Sequence, residues 1–162
     1  MVKVLFVCLG NICRSTMAES VFTHMVKQRH IDHLFEIYSA ATSREEIGNG
    51  PHHGTVNQLK KKNIPVIPHR AVQMTRADYS YYDYLIGMDS ANIRNMQRIA
   101  EGDSEGKIYK LLSFAGYEMN KQLVAGKDVA DPWYTGDFEV TYRDVVAGCE
   151  GFLKFLEEQG QF

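Results

Sequence analysis

A short apolar run, a glycine-containing loop and an amphipathic pattern follow one another at the amino terminus, and this order limits the fold more than any other feature. The run is rich in β-branched valines, as in a strand buried on both faces of a parallel sheet, and predicts a strand at residues 2–8. Apolar residues then recur at helical spacing and predict a helix at residues 16–29. Ser15 or Thr16 is expected to cap this helix, and Thr16 with Glu19 has the form of a capping box.

The connection between this strand and this helix carries chemistry for binding an anion. It ends at a helix N-terminus, where unpaired backbone N–H groups and the helix macrodipole favour negative charge. Cys8 and Arg14 stand at the two ends of a C-x5-R segment. Such surroundings favour the thiolate form of a cysteine, and a guanidinium fork can hold two phosphate oxygens. The predicted phosphate-binding loop comprises Leu9, Gly10, Asn11, Ile12, Cys13, Arg14 and Ser15.

Three residues of the loop suit particular roles. Gly10 permits a tight turn close to the anion, and Asn11 tolerates a left-handed backbone and can hold the loop with its amide. Ser15 can donate its hydroxyl to the sulfur. The alternative is a buried structural cysteine beside a surface arginine, and the agreement of strand, glycine, asparagine and helix start argues against it.

The segment from Cys8 to Ser15 resembles the phosphate-binding loop of the low-molecular-weight protein tyrosine phosphatases. The resemblance covers nearly the whole chain. Asp131-Pro132-Trp133-Tyr134 is similar to the general-acid loop of that family, and the strand ends at Ser39 and Met88 and the stretch after His69 also match. The resemblance implies an α/β core, hydrolysis of phosphotyrosine in proteins and no cofactor.

Asp131 is the candidate general acid. The alkoxide or phenoxide released from a phosphate ester is a poor leaving group unless it is protonated, and a positioned carboxylic acid accelerates such a step by about 10²–10⁴-fold. Asp-Pro is also a common turn initiator. Asp128 is the competing carboxylate, but it lacks the proline and aromatic residues that follow Asp131. In the predicted mechanism Cys8 attacks phosphorus, while Asp131 protonates the leaving group and then activates water.

Residues around the loop are predicted to shape the substrate site. Ile12, Trp133 and Tyr134 would form an apolar slot for an aromatic leaving group. The family often has an aromatic residue after the second strand, where this chain has Glu45, so the slot either lacks one wall or favours a basic peptide. Thr16 departs from the proline that is usual in the family. By resemblance, the residues that support the loop through hydrogen bonds are Asn11, Ser15, Ser39 and His69.

The remaining chain alternates between strand and helix patterns. Further strands are predicted at residues 35–38, 84–88 and 108–111, further helices from Pro51, from Asp89 or Ser90 and from about Asp137, and a loop-rich stretch at residues 113–136. Asp89 is expected to cap its helix or to brace Arg14. Such βα repetition predicts a single domain with a central four-stranded parallel sheet and helices on both faces. Ligands bind at the carboxyl ends of strands in such sheets, which is where Cys8 lies.

Composition is consistent with one globular domain at residues 1–162. Apolar residues make up 44% of the chain and charged residues 23%, and the net charge of −2 argues against general nucleic-acid binding. Three cysteines are too few for a disulfide framework and favour a reducing, cytoplasmic location. We find no signal-peptide pattern and no stretch long enough to span a membrane. The oligomeric state is left open.

No metal site is expected from the sequence. A zinc site built on Cys8 and Cys13 would need two more ligands at suitable spacing, and none is evident. The histidines that show no metal-ligand spacing with acidic partners, and that are predicted to lie on the surface, are His24, His30, His33, His52 and His53.

Three rival functions remain on the sequence alone. A thiol-coupled arsenate reductase of this fold needs further cysteines to relay a disulfide, yet no cysteine lies between Arg14 and Cys149, which falls on the apolar face of the last helix. A phosphoarginine phosphatase of this family tends to have threonine where Ile12 stands. A non-catalytic binding module would not need Cys8, Arg14 and Asp131 together.

Cys13 suggests redox control of the loop. A low-pKa, partly exposed thiolate is the cysteine most open to peroxide, and a neighbouring thiol can resolve the sulfenic acid. A reversible disulfide between Cys8 and Cys13 is therefore predicted, while Cys149 should stay reduced in the core.

Overall fold

The computed structural model describes residues 1–162 and alternates strands with helices along the chain. The strands are β1 (Val2–Cys8), β2 (Phe35–Ala41), β3 (Tyr84–Gly87) and β4 (Ile108–Lys110). The helices are α1 (Arg14–Gln28), α2 (His53–Lys61), α3 (Arg76–Tyr81), α4 (Ser90–Ala100), α5 (Tyr117–Asn120), α6 (Pro132–Thr135) and α7 (Phe138–Glu158), with 3₁₀ turns at Asp32–Leu34 and Leu111–Ser113. No helix is both long enough and apolar enough to cross a membrane.

The four strands form one parallel sheet in the order β2-β1-β3-β4, which confirms the predicted α/β architecture. Cys8 at the end of β1 pairs with Ala41 at the end of β2, and Val7 pairs with Gly87 at the end of β3. The carboxyl ends of these strands therefore meet at one edge of the sheet, and the loop after β1 lies at that edge.

Side chains of β1 alternate between two apolar layers, so helices cover both faces of the sheet as predicted. Val4 and Phe6 join a core with α1 and α7, whereas Leu5 and Val7 pack with residues of α3 and α4, among them Met96. A strand buried on both faces needs apolar residues at consecutive positions, which explains the continuous run in the sequence.

The larger core is held by aromatic packing between α1, α7 and the turn after β4. The Phe152 ring lies 5.2 Å from Phe22 and 4.9 Å from Phe114 between ring centroids. Gly151 brings α7 against the backbone of that turn, because a Cβ atom there would lie 1.8 Å from the Phe114 carbonyl oxygen. This contact holds the last helix close to the turn that follows β4.

The predicted start of the first helix is wrong. α1 begins at Arg14, and Cys13 occupies the N-cap position without a side-chain cap. Thr16 donates its hydroxyl to the Cys13 carbonyl oxygen at 3.1 Å, and Glu19 is buried, so the predicted capping box is absent. No side chain therefore occupies the first N–H groups of α1, and they stay available for a bound anion.

Other boundaries differ by a few residues. α2 begins at His53 with His52 as N-cap rather than at Pro51, and β4 ends at Lys110. α3 was not predicted, although Thr75 and Asp78 form a capping box at its start. Of the two predicted caps of α4, the structure has Asp89. The predicted start of the last helix near Asp137 is confirmed, since α7 begins at Phe138 with Asp137 as its N-cap.

Candidate active site

The loop between β1 and α1 folds back around the Cys8 sulfur. Asn11 has a φ of 59°, the left-handed conformation that asparagine tolerates, and its backbone N–H donates to Cys8 Sγ at 3.3 Å. Cys8 is only 3% exposed and Arg14 2%. The sulfur thus lies in a cavity lined by the loop, with the Asn11 N–H directed at it.

The fork of Arg14 is held in place before any substrate binds. Nη1 donates to Asp89 Oδ2 at 2.8 Å and to the Val129 carbonyl oxygen at 3.1 Å, and Nη2 donates to Asp131 Oδ2 at 3.3 Å. Burial lowers the pKa of Arg14, but the negative charges of Cys8, Asp131 and Asp89 outweigh burial and raise that pKa above its ordinary value. Arg14 is therefore a permanent cation beside the sulfur.

A chain of hydrogen bonds with a defined direction reaches Cys8 from beneath the loop. Asn11 Oδ1 accepts from the backbone N–H of Val72 at 3.2 Å, so the amide nitrogen is the end that donates, to Ser15 Oγ at 2.8 Å and to Ser39 Oγ at 2.9 Å. Since Ser15 Oγ accepts from Asn11, its own proton is free to donate to Cys8 Sγ, 3.0 Å away. A hydroxyl donating to sulfur stabilises the thiolate.

The same chain ends on a buried carboxyl group. Ser39 Oγ donates to Glu19 Oε1 at 2.5 Å, and His69 Nε2 donates to Asn11 Oδ1 at 2.6 Å. His69 Nδ1 has no hydrogen-bond partner and lies 3.6 Å from Glu19 Oε1. Burial raises the pKa of Glu19 to about 7, against the lowering effect of the Ser39 hydroxyl, and burial lowers the pKa of His69.

Asp131 lies at the N-cap of α6 with its carboxylate against the Arg14 fork. Its Oδ1 accepts from the Trp133 backbone N–H at 3.1 Å, which orients the group, and its Oδ2 contacts Arg14. Asp128 instead forms a salt bridge with Lys110 at 2.8 Å, which lowers its pKa, and it does not line the cavity. Of these two candidate acids, Asp131 is the one that lines the cavity with Cys8 and Arg14.

Comparison with known proteins agrees with this geometry. Residues 3–162 match the sequence model of the family described as low molecular weight phosphotyrosine protein phosphatase. The chain belongs to this family. It is 40% identical over 154 residues to the low molecular weight phosphotyrosine protein phosphatase of Rattus norvegicus, covering 94% of each chain.

Two solved structures of the phosphatase fold illustrate the likeness. The crystal structure of YfkJ from Bacillus subtilis superposes with a TM-score of 0.90 at 34% identity, over 98% of this chain and 96% of that one. The structure of DARP, a Drosophila arginine phosphatase, superposes with a TM-score of 0.79 at 27% identity, over 93% of this chain and 95% of that one.

The cavity brings together most of the site residues predicted from sequence. Its lining comprises Cys8, Leu9, Gly10, Ile12, Cys13, Arg14, Glu45, Glu46, Asp131, Trp133 and Tyr134. Asn11, Ser15, Ser39 and His69 lie beneath it as the hydrogen-bonded network already described. In this phosphatase Trp133 and Tyr134 stay largely exposed, so both rings stand free at the cavity mouth.

Two residues of this phosphatase site, Glu19 and Glu46, are not predicted from the sequence. Glu19 lies four residues after Ser15 and three before the buried Phe22, so the three share one face of α1, and this spacing was the available signal. Glu46 directly follows the predicted Glu45, and no sequence pattern shows that both residues line the cavity. His52, predicted to lie on the surface, is instead half-buried beside the cavity, because its ring stacks on Phe138 at 5.4 Å and its backbone N–H donates to the Ile12 carbonyl oxygen at 2.8 Å.

The surroundings of the other two thiols disfavour their thiolate forms. Burial raises the pKa of Cys13 to about 12, helped by the charges of Cys8 and Asp131, and burial also raises the pKa of Cys149 far above its ordinary value. All three cysteines are free. No group of three or more histidine, cysteine, aspartate or glutamate side chains is arranged to hold a metal ion.

Proposed function

We propose that this protein hydrolyses phosphotyrosine in proteins, and small aryl phosphates, through a phosphocysteine intermediate. The observation that carries the proposal is the alignment of Cys8 with the pre-held fork of Arg14 at an uncapped helix N-terminus. A tetrahedral phosphate dianion matches that arrangement of charge and N–H donors. Residues 1–162 act as a single domain in this proposal.

In the first step the Cys8 thiolate attacks phosphorus in line with the ester oxygen. The bond from sulfur to phosphorus forms as the bond to the leaving oxygen breaks, and Asp131 gives its proton to that oxygen. Arg14 and the loop N–H groups hold the three remaining oxygens, where charge builds in the transition state. Nε of Arg14 donates to no protein atom, which leaves it free for a phosphate oxygen.

In the second step Asp131, now a carboxylate, takes a proton from water as that water attacks phosphorus. The sulfur–phosphorus bond breaks and Cys8 leaves as a thiolate. Ser15 supports this departure because its hydroxyl donates to Sγ. Inorganic phosphate is released, and Asp131 is protonated again for the next cycle.

Aromatic phosphate esters suit the cavity best. Ile12, Trp133 and Tyr134 supply apolar lining to the cavity that holds Cys8 and Arg14, and such lining favours the aromatic ring of the ester. An arginine phosphatase shares the fold, and we propose that Ile12 favours the apolar ring over a phosphorylated guanidinium group. Arsenate reduction by a disulfide relay is disfavoured, since Cys149 is fully buried in the core.

We propose the cytoplasm as the location, because a reducing compartment keeps thiols free. The catalytic role of Cys8 requires its unoxidised sulfur. Phosphotyrosine proteins are the proposed partners, and the net charge of −2 offers no general attraction for nucleic acid.

Turnover of a substrate panel tests the proposal. Wild type should hydrolyse an aryl phosphate and a phosphotyrosine peptide far faster than a phosphoarginine peptide, and should not reduce arsenate with added thiol. Cys8→Ser should keep the wild-type circular dichroism spectrum and lose turnover, since serine lacks a thiolate and no neighbouring base activates it. Faster turnover of phosphoarginine, or sustained turnover by Cys8→Ser, would contradict the proposal.

A further inference from the structure

We infer that Glu45 and Glu46 make the cavity mouth select phosphotyrosine sites flanked by lysine or arginine. The inference rests on the proposed function and adds the class of peptide that reaches the site. Both residues line the same cavity as Cys8 and Arg14, so they border the space that a bound substrate occupies.

The segment carrying these carboxylates is tied to the phosphate loop. The backbone N–H of Ser43 donates to the Leu9 carbonyl oxygen at 3.0 Å, and the Ser43 hydroxyl donates to the same oxygen at 2.9 Å. The N–H of Glu45 donates back to Ser43 Oγ at 3.4 Å. The acidic segment therefore holds a fixed position relative to the loop that binds the phosphate.

Glu46 is placed just as closely. Its Cγ would lie 3.3 Å from a Cβ atom built on Gly10, so its side chain packs directly on the phosphate loop. Its Oε2 accepts from Asn49 Nδ2 at 2.6 Å, a neutral donor that orients the carboxylate and leaves its charge uncompensated. The Glu46 carboxylate raises the pKa of the nearby His52, but burial and the neighbouring His53 outweigh it and lower that pKa, which disfavours a cation at His52.

No cation of the protein neutralises the two carboxylates. Neither Glu45 nor Glu46 takes part in a salt bridge, and the neighbouring Arg44 is exposed and forms none. The cation in the cavity, Arg14, is already paired with Asp89 and Asp131. The mouth of the cavity therefore carries the negative charge of Glu45 and Glu46, whereas Arg14 and the phosphate loop below it attract an anion.

A substrate with basic residues next to phosphotyrosine matches both charges of the site, because its phosphate is negative and its flanking residues are positive. When the phosphate is bound at Arg14, the two residues that flank phosphotyrosine have their Cα atoms only about 4 Å from that of the phosphotyrosine. A lysine or arginine there can meet Glu45 or Glu46, and it can also lie over the exposed ring of Trp133 through a cation–π contact. An acidic flank meets two like charges at the same place.

Matched peptides test the inference through a ratio of rates. The three peptides differ only in the residues on both sides of phosphotyrosine, which are lysine, alanine or glutamate, and the readout is kcat/KM at low and high salt. An exposed ion pair changes such a value by about 1.5- to 5-fold. We expect wild type to favour the lysine peptide over the glutamate peptide by about tenfold at low salt, and by less at high salt because of screening.

The doubly substituted variant Glu45→Gln, Glu46→Gln should bring that ratio to within about twofold of unity. Glu105→Gln removes an exposed carboxylate outside the cavity and should leave the ratio unchanged. Equal rates for the three peptides in wild type, or a preference that survives in the double variant, would overturn the inference alone. Failure to hydrolyse any of the peptides would overturn the proposed function and the inference with it.

Discussion

Replacing Glu19 by glutamine should remove a large part of the pH dependence of stability. Glu19 is 2% exposed, and its carboxyl group lies between the Ser39 hydroxyl and the unpartnered Nδ1 of His69. Because His69 Nε2 donates to Asn11 Oδ1, Nδ1 presents a lone pair towards Glu19. A glutamine keeps an acceptor for the Ser39 hydroxyl without carrying charge.

The size and direction of the effect follow from the pKa of Glu19. Burial raises it from 4.5 to about 7, which corresponds to about 3 kcal/mol. A carboxyl group with a raised pKa favours the folded state fully below pH 4.5, and this contribution is lost as the pH rises through 7. Relative to Glu19→Gln, wild type should therefore lose up to about 3 kcal/mol of unfolding free energy between pH 4.5 and 8.

Urea unfolding of both proteins at several pH values measures this difference. The comparison isolates Glu19, since every other titrating group is common to the two chains. Glu105→Gln, whose carboxylate is 59% exposed, should follow wild type throughout. A difference between wild type and Glu19→Gln that stays constant over this range, or moves in favour of wild type as pH rises, would refute the reasoning.

Further predictions concern the acid, the core and the loop thiols. Asp131→Asn should lower kcat strongly for phenyl phosphates with basic leaving groups and less for activated aryl esters, which a leaving-group series measures; a uniform small loss would leave Asp131 as a turn residue. Gly151→Ala should destabilise the fold by about 3 kcal/mol or more in urea unfolding, because its Cβ meets the Phe114 carbonyl oxygen, whereas wild-type stability would show that the turn moves aside. Mild peroxide should form a Cys8–Cys13 disulfide that thiol reductant reverses, as peptide mapping shows, and Cys13→Ser should recover less activity than wild type; equal recovery would exclude Cys13 as the protecting thiol.

Local sequence determined the parts of the site that belong to one continuous segment. The strand, Gly10 and the C-x5-R spacing all lie within the first βα unit, so short-range patterns suffice to predict an anion loop. The phosphatase family resemblance then supplied Asp131, which lies more than one hundred residues away in sequence and 3.3 Å from Arg14 in space. Such a contact depends on tertiary folding that no local pattern contains.

The start of α1 shows why the cap prediction failed. Thr16 and Glu19 have the residue types of a capping box, but capping would fill the N–H groups that the anion site needs. The structure instead turns Glu19 into the core, where it ends the hydrogen-bond chain below the loop. At this helix start the geometry of the site overrides the capping preference of Thr16 and Glu19, as is expected at functional positions.

Trapping the covalent intermediate tests the account most directly. Asp131→Asn with an activated aryl phosphate should form phosphoenzyme, since that leaving group needs little protonation, and should hydrolyse it slowly, since the base that activates water is gone. Rapid acid quench followed by mass spectrometry of peptides should place one phosphate on Cys8 and none in Cys8→Ser. A phosphate on another residue, or turnover with no phosphoenzyme at any time point, would contradict nucleophilic attack by Cys8.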